Sequence, residues 1–211
     1  MKKMLRTSSV LSLLFVQFFI SGVAAEAAGK ILVRVRGIDV IPVESSEITV
    51  INGEANADNA IVPELDFSYF FTENIGMELI LATTKHNVVA EKTDLGVVPL
   101  GSIWVLPPTL TLQYHFLPRG QVCPYVGVGL NFTIFYNETL PAATVTDISY
   151  GGSFGPAFQG GVDVALNDKW DLNLDLKKVL INTNVEINDN AIHADVDLHP
   201  WILGAGFRYH F

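Results

Sequence analysis

The run Trp170-Asp171-Leu172-Asn173-Leu174-Asp175-Leu176-Lys177 alternates apolar and polar residues without a break. Successive side chains of a β-strand point to opposite faces, so this segment has one greasy face and one wet face. Glu64-Leu65-Asp66-Phe67-Ser68-Tyr69-Phe70-Phe71 repeats the pattern, with apolar residues at the odd positions. Isolated hairpins cannot bury such a face, which places the strands in one extended sheet. Eight segments of this kind can be read, at 30–41, 61–71, 76–86, 103–116, 122–136, 154–166, 169–180 and 197–211. Three connections are short and polar: Thr72-Glu73-Asn74, Leu117 to Gln121, and Asn167-Asp168-Lys169. The other four, near 42–60, 87–102, 137–153 and 181–196, read as long loops. Long and short alternate strictly. An even strand count with tight turns at one end and long loops at the other describes an outer-membrane barrel. The expected fold is all-β, an eight-stranded antiparallel transmembrane β-barrel with both termini in the periplasm.

Composition fits a membrane solvent. Hydrophobic residues make up 49% of the 211 and charged residues only 17%, too apolar for a disordered acidic chain. No segment beyond residue 25 approaches the ~20 apolar residues of a spanning helix. The net charge of −9 argues against a nucleic-acid partner. Cys123 stands alone, too few for an internal disulfide or a structural zinc site.

Residues 1–25 read as a signal peptide and 26–211 as the barrel. Lys2, Lys3 and Arg6 precede an apolar stretch from Val10 to Ile20, and small residues follow at Val23-Ala24-Ala25. Cleavage is expected after Ala25 or Ala27. The expected localisation is the cell outer membrane.

The parity of each strand separates two faces. One carries Leu65, Phe67, Tyr69, Leu79, Leu110, Leu112, Val126, Val128, Leu172, Leu174, Leu176, Trp201 and Leu203. The other carries Arg34, Arg36, Glu64, Asp66, Glu78, Gln113, Asn131, Gln159, Asp163, Asp171, Asn173, Asp175, Lys177 and Arg208. Both signs of charge occur on it, so a lumen could pair them. Parity alone does not say which face is inside, because a secreted lipocalin-like barrel would reverse it. Whole strands rich in Phe, Leu and Tyr, and an aromatic C-terminal residue, Phe211, favour lipid on the apolar side.

Several short strings resemble the OmpW family of small outer-membrane barrels, and they span the whole chain after the signal segment. They are Gly29-Lys30-Ile31-Leu32-Val33-Arg34, Glu73-Asn74-Ile75-Gly76-Met77-Glu78-Leu79, Leu106-Pro107-Pro108-Thr109-Leu110 and Pro124-Tyr125-Val126-Gly127-Val128-Gly129-Leu130-Asn131. Gly160-Gly161-Val162-Asp163, Pro200-Trp201 and Phe207-Arg208-Tyr209-His210-Phe211 complete the series in the same order. The resemblance implies a narrow channel with an apolar mouth, associated with passage of small hydrophobic solutes. It implies that Phe207, Tyr209 and Phe211 belong to the signal read by the outer-membrane assembly machinery. It also implies a constriction where an aliphatic residue faces a tryptophan. Ile80 falls at the aliphatic position, while the tryptophan position falls on Lys177, with Glu78 nearby. A purely hydrophobic constriction is therefore not expected here.

The expected function is passive uptake of small hydrophobic molecules, with a charged lumen below an apolar mouth and lateral release into the membrane. The lumen charges in question are Arg34, Glu64, Asp66, Asp163, Asp171, Asp175 and Arg208. Prolines at 63, 107, 108, 124, 156 and 200 could weaken the wall, since each removes a ladder donor. The alternative is a plugged barrel acting as a structural or surface-interaction protein, because small eight-stranded barrels are just wide enough for side chains to fill. Valine- and alanine-rich loops at Val43–Ala60 and Val88–Leu100 favour the greasy mouth. Outer-membrane lipids and lipopolysaccharide are expected partners. No catalytic constellation, cofactor or metal site is expected. His193-Ala194-Asp195-Val196-Asp197-Leu198-His199 aligns ligand types on one face, but strand spacing of ~7 Å keeps them from converging.

Overall fold

The computed structural model describes residues 29–46, 54–93, 96–140, 148–187 and 192–210, so the expected signal peptide at 1–25 and Phe211 lie outside the described residues. In chain order the strands are β1 (Ile31–Ile41), β2 (Glu44–Ser46), β3 (Glu54–Ala57), β4 (Ala60–Phe70), β5 (Ile75–Ala82), β6 (Thr84–Thr93), β7 (Gly96–Leu106) and β8 (Thr109–His115). They continue with β9 (Val122–Thr139), β10 (Ile148–Tyr150), β11 (Ser153–Ala165), β12 (Trp170–Val179), β13 (Ile181–Ile187), β14 (Ile192–Leu198) and β15 (Trp201–His210). Strands β1, β4, β5, β8, β9, β11, β12 and β15 pair in turn, and β9 with β11 closes the ring. First and last strands join along Leu32↔His210 to Ile41↔Trp201.

Two of the three short connections are held by side chains, and the third is closed by the Gly120 N–H donating to the Leu117 carbonyl at 2.9 Å. The Thr72 hydroxyl accepts from the backbone N–H of Asn74 at 3.2 Å and of Ile75 at 3.0 Å. The Asn167 carboxamide oxygen does the same for Lys169 and Trp170 at 2.9 and 3.1 Å. Such Asx and Ser/Thr turns close antiparallel neighbours cheaply.

The long connections are not the loops that the sequence suggested. They hold strands β2, β3, β6, β7, β10, β13 and β14, which carry the sheet above the barrel. Segment 76–86 divides at Thr83, and segment 103–116 divides at Pro107-Pro108, where no N–H is available for a ladder. Strands β3, β6 and β7 extend the sheet beside the upper half of β9, and β10, β13, β14 and β2 form a second sheet.

Polarity inverts where the strands leave the bilayer. Along β12 and β13 the inward residues run Asp171, Asn173, Asp175, Lys177 and then Val179, Ile181, Thr183, Val185. The outward ones run Leu172, Leu174, Leu176 and then Asn182, Asn184. The lower body is thus apolar outside and charged inside, as lipid requires, and the upper body reverses, as water requires. Aromatic rings mark both boundaries. Tyr69–Phe71 and Tyr114–Phe116 meet edge-on at 5.2 Å and Trp170–Tyr209 at 4.9 Å near the periplasmic turns. At the upper boundary Trp104 lies 6.1 Å from Tyr136, and the Lys178 ammonium sits 4.7 Å above the Trp201 ring.

Candidate functional site

Every lumen charge named from the sequence is buried, and the structure joins them into one network across the barrel. Arg36 is its hub: Nε lies 2.8 Å from Glu64, Nη2 2.6 Å from Asp66 and Nη1 3.2 Å from Asp175. Lys177, directly above, sits 2.7 Å from Glu64 and 2.9 Å from Asp175. Deeper, Arg34 pairs with Glu78, and Arg208 holds Asp163 and Asp171, each at 2.6 Å. Neutral groups fill the remaining positions. The Tyr125 hydroxyl donates to Asp175 at 2.6 Å, and the Gln113 and Gln159 amides donate to Glu78 at 2.6 and 2.9 Å. Asn173 donates to Asp163 at 2.8 Å and accepts from Arg36 at 3.1 Å. A buried charge is costly unless it is paired, and this cluster gives each of its charges an ion-pair partner, many of them across strands far apart in sequence. Asp66 Oδ1 is left without a hydrogen-bond partner.

Above the plug lies a funnel with a nearly all-apolar wall. Ile38 and Val40 of β1, Ile80 of β5, Ile103 and Val105 of β7, Val179 of β12, Ile181 and Val185 of β13 and Ile202 of β15 line it. It encloses about 130 Å³ of space open to the centre of a water-sized sphere. Its polar residues are tied down. With Nδ1–H donating to the Asp58 carbonyl at 2.7 Å, His86 accepts the Thr84 hydroxyl at Nε2, 2.9 Å away. Phe135 and Tyr150 stack at 5.5 Å where the two upper sheets approach, and burial beside Glu138 pushes the Tyr150 phenol up to about 12. That ring stays neutral.

The floor of the funnel holds Ile80, Glu64 and Lys177 together. Glu78 is not on it: its carboxylate lies one step deeper, held by Arg34, Gln113 and Gln159. Arg36 and the funnel wall were not singled out as site residues from the sequence, although unbroken parity along 171–185 carried the signal. Of the terminal aromatics, Phe207 is exposed on the outer face and Tyr209 lies against Trp170. In the histidine-bearing segment, the side chains of His193 and Asp195 lie outside the described residues, and Asp197 accepts from Asn182.

Besides the seams between the two upper sheets, where β3 meets β2 and β9 meets β10 without pairing, one stretch of wall lacks a ladder among the described residues. Strand β4 pairs with β5 from Phe70↔Gly76 up to Glu64↔Ala82. The next link on that side is Asp58, whose N–H donates to the Asn87 carbonyl at 3.3 Å and whose carboxylate takes the Asn87 N–H at 2.7 Å. Between them Ala60–Pro63 are in register only with β1, and Thr84–His86 only with β7. Of the six prolines, Pro63 alone falls in this gap. Pro124 and Pro156 sit in intact ladders opposite Val162 and Leu130, and the Pro200 carbonyl takes the Val179 N–H at 3.3 Å.

Comparison with known proteins places this arrangement. The model of the OmpW family matches residues 27–211. The uncharacterized outer-membrane protein y4mB of Sinorhizobium fredii is 39% identical over 85% of this chain and 79% of its own. Outer membrane protein W of Escherichia coli K12 is 33% identical, covering 93% of this chain and 96% of its own. The crystal structure of the outer membrane protein OprG from Pseudomonas aeruginosa matches with a TM-score of 0.81 at 29% identity, over 89% of this chain and 98% of that one. With its closed ring of eight strands, its lipid-facing apolar belt and these relatives, the chain belongs to the OmpW family of outer-membrane β-barrel proteins.

Proposed function

We propose that the protein admits small hydrophobic solutes passively into the outer membrane, and that they leave sideways and do not pass through the base. The observation that carries this reading is the seating of an apolar funnel on the Lys177–Glu64 pair. An apolar solute gains by leaving water for such a wall, at about 25 cal/mol per Å² buried. It gains nothing by entering a packed layer of ion pairs, where it would have to displace charge–charge contacts. The unladdered wall at Ala60–Pro63 lies beside the funnel, since Ala57, Glu64, Ala82, Thr84 and His86 all line it. Parting that wall breaks no strand ladder, which makes it a low-cost way out.

The same plug also supports the other reading, a closed barrel with a structural or surface-binding role and no transport. Uptake by proteoliposomes separates the two. Faster uptake of an aliphatic compound, with no change for a polar solute of similar size, supports the funnel. Equal acceleration of both would show a water-filled pore, and no acceleration of either would leave the plugged anchor.

A further inference from the structure

The funnel wall has no hydroxyl proton to spare among its threonines. The Thr84 hydroxyl donates to His86, that of Thr109 to the Pro107 carbonyl at 2.9 Å and that of Thr183 to the Gly151 carbonyl at 2.6 Å. The His86 Nδ1–H is spent on the Asp58 carbonyl. The floor differs. Lys177 sets its ammonium 2.7 Å from Glu64 Oε1 and 2.9 Å from Asp175 Oδ1, with no other partner among the described residues. An ammonium carries three donors, so at least one is left over. Arg36 Nε also meets Glu64 at Oε1, and Glu64 Oε2 has no hydrogen-bond partner among the described residues. Both side chains line the funnel, and each residue is only 2% exposed. The floor therefore offers one donor beside one acceptor, through an opening sized for a single small group.

We propose that the funnel takes solutes with a terminal hydroxyl and holds them head-down, with Glu64 and Lys177 as the residues that read the head. The inference rests on the uptake reading above and narrows its substrate class. A hydroxyl is donor and acceptor on one atom. It gives its proton to Glu64 Oε2 and takes one from Lys177, while its chain lies along Ile38, Val179 and Ile181. The ion pair stays intact, since the hydroxyl uses only the donor and the oxygen that the pair leaves over. A plain hydrocarbon covers both groups and matches neither, and an ether satisfies only the donor. Covering a polar group without giving it a partner is penalised more heavily than a made bond is rewarded, so the head decides.

Decan-1-ol and its isomer 1-methoxynonane test this, titrated against isoleucine-methyl-labelled protein in nanodiscs of deuterated lipid. The ether has the same atoms and cannot donate. In Lys177→Met/Glu64→Leu, where Arg36 keeps Asp66 and Asp175, decanol should bind about 10-fold more weakly than to the wild type, and the ether within about two-fold of it. Comparing each solute with itself cancels its partitioning into lipid. In the wild type, the C1 methylene of decanol should show NOEs to the Ile80 methyl, and its terminal methyl to Ile181. Should the variant fail to fold, these contacts decide alone. Equal losses for the two solutes, or a folded variant that loses neither, would remove the head site and leave the funnel intact. Decanol bound with its terminal methyl against Ile80 would overturn the proposal outright. If neither solute touches these methyls, the uptake reading and the inference fall together.

Discussion

Lys177 shares two carboxylates, Glu64 and Asp175, with Arg36. Lys177→Ala leaves Glu64 and Asp175 short of a cation in a buried layer, and should cost about 3–5 kcal/mol in a reversible folding titration. Removing Glu64 as well, in Lys177→Ala/Glu64→Gln, should recover much of that loss, because an uncompensated charge disappears with it. Additive losses would show that the pair is not coupled. On the opposite parity, Leu174 is exposed to lipid between two plug residues, so Leu174→Arg should cost about 2–4 kcal/mol in the same assay. Its neighbour Asn173 would be an easy site for arginine if parity alone governed. The structure argues otherwise, since the Asn173 side chain is fully buried and bonded to Arg36, Asp163 and Tyr125. Parity shows which side a residue faces and not how full that side is.

At the scale of strands, the eight membrane-crossing segments were legible because lipid demands a clean alternation, as in Trp170 to Lys177. The upper strands were not. Their alternation carries apolar residues inward and Lys85, Asn87, Asn182 and Asn184 outward, in the opposite phase to the strands they continue. Read without that phase change, the valines near 88–100 look like loop chemistry. The lipocalin-like arrangement, wrong for the body of the barrel, describes its crown. The floor of the funnel was partly legible, because family resemblance pointed to Ile80 and Lys177. Arg36 could not be ranked above other inward charges until the register placed it between Glu64 and Asp175. Between β1 and β15 the register depends on close approach at Gly206. A Cβ at Gly206 would stand 2.0 Å from the Val35 carbonyl oxygen on the neighbouring strand. Gly206→Val should therefore disturb the β1–β15 closure, and hydrogen exchange should rise along Val35–Gly37 before it rises in β9. Orientation is also testable at this scale. Cysteine at Lys85 or Asn184 should react with an impermeant reagent on intact cells, and cysteine at Asp168 should not. Labelling at 168 would invert the topology.

For the molecule as a whole, the question is whether the plug or the wall controls passage. In the Lys177→Ala/Glu64→Gln protein the floor of the funnel loses its ion pair. If solutes travel down the axis, their uptake should rise sharply. If they leave through the wall, ion conductance across a planar bilayer should rise while hydrophobic uptake barely changes. A large gain in hydrophobic uptake would reject the lateral route.

The plug also has a history within each molecule. Its bonds join β1 to β5 and β12, β11 to β5, and Lys177 to Glu64 across 113 positions of chain. None of these can form before strands that distant have met, and contacts of such long range come late in folding. Until closure, Arg34, Glu78 and Asp163 have no ion-pair partner on their own or an adjacent strand and cannot face hydrocarbon, so the nascent sheet has to keep its inner surface wet. The last step of assembly is then the expulsion of that water as the ring shuts. A chain that closes in the wrong register fails to match acid with base and is left loose in the middle. Insertion is thereby coupled to a proofreading step written in charge.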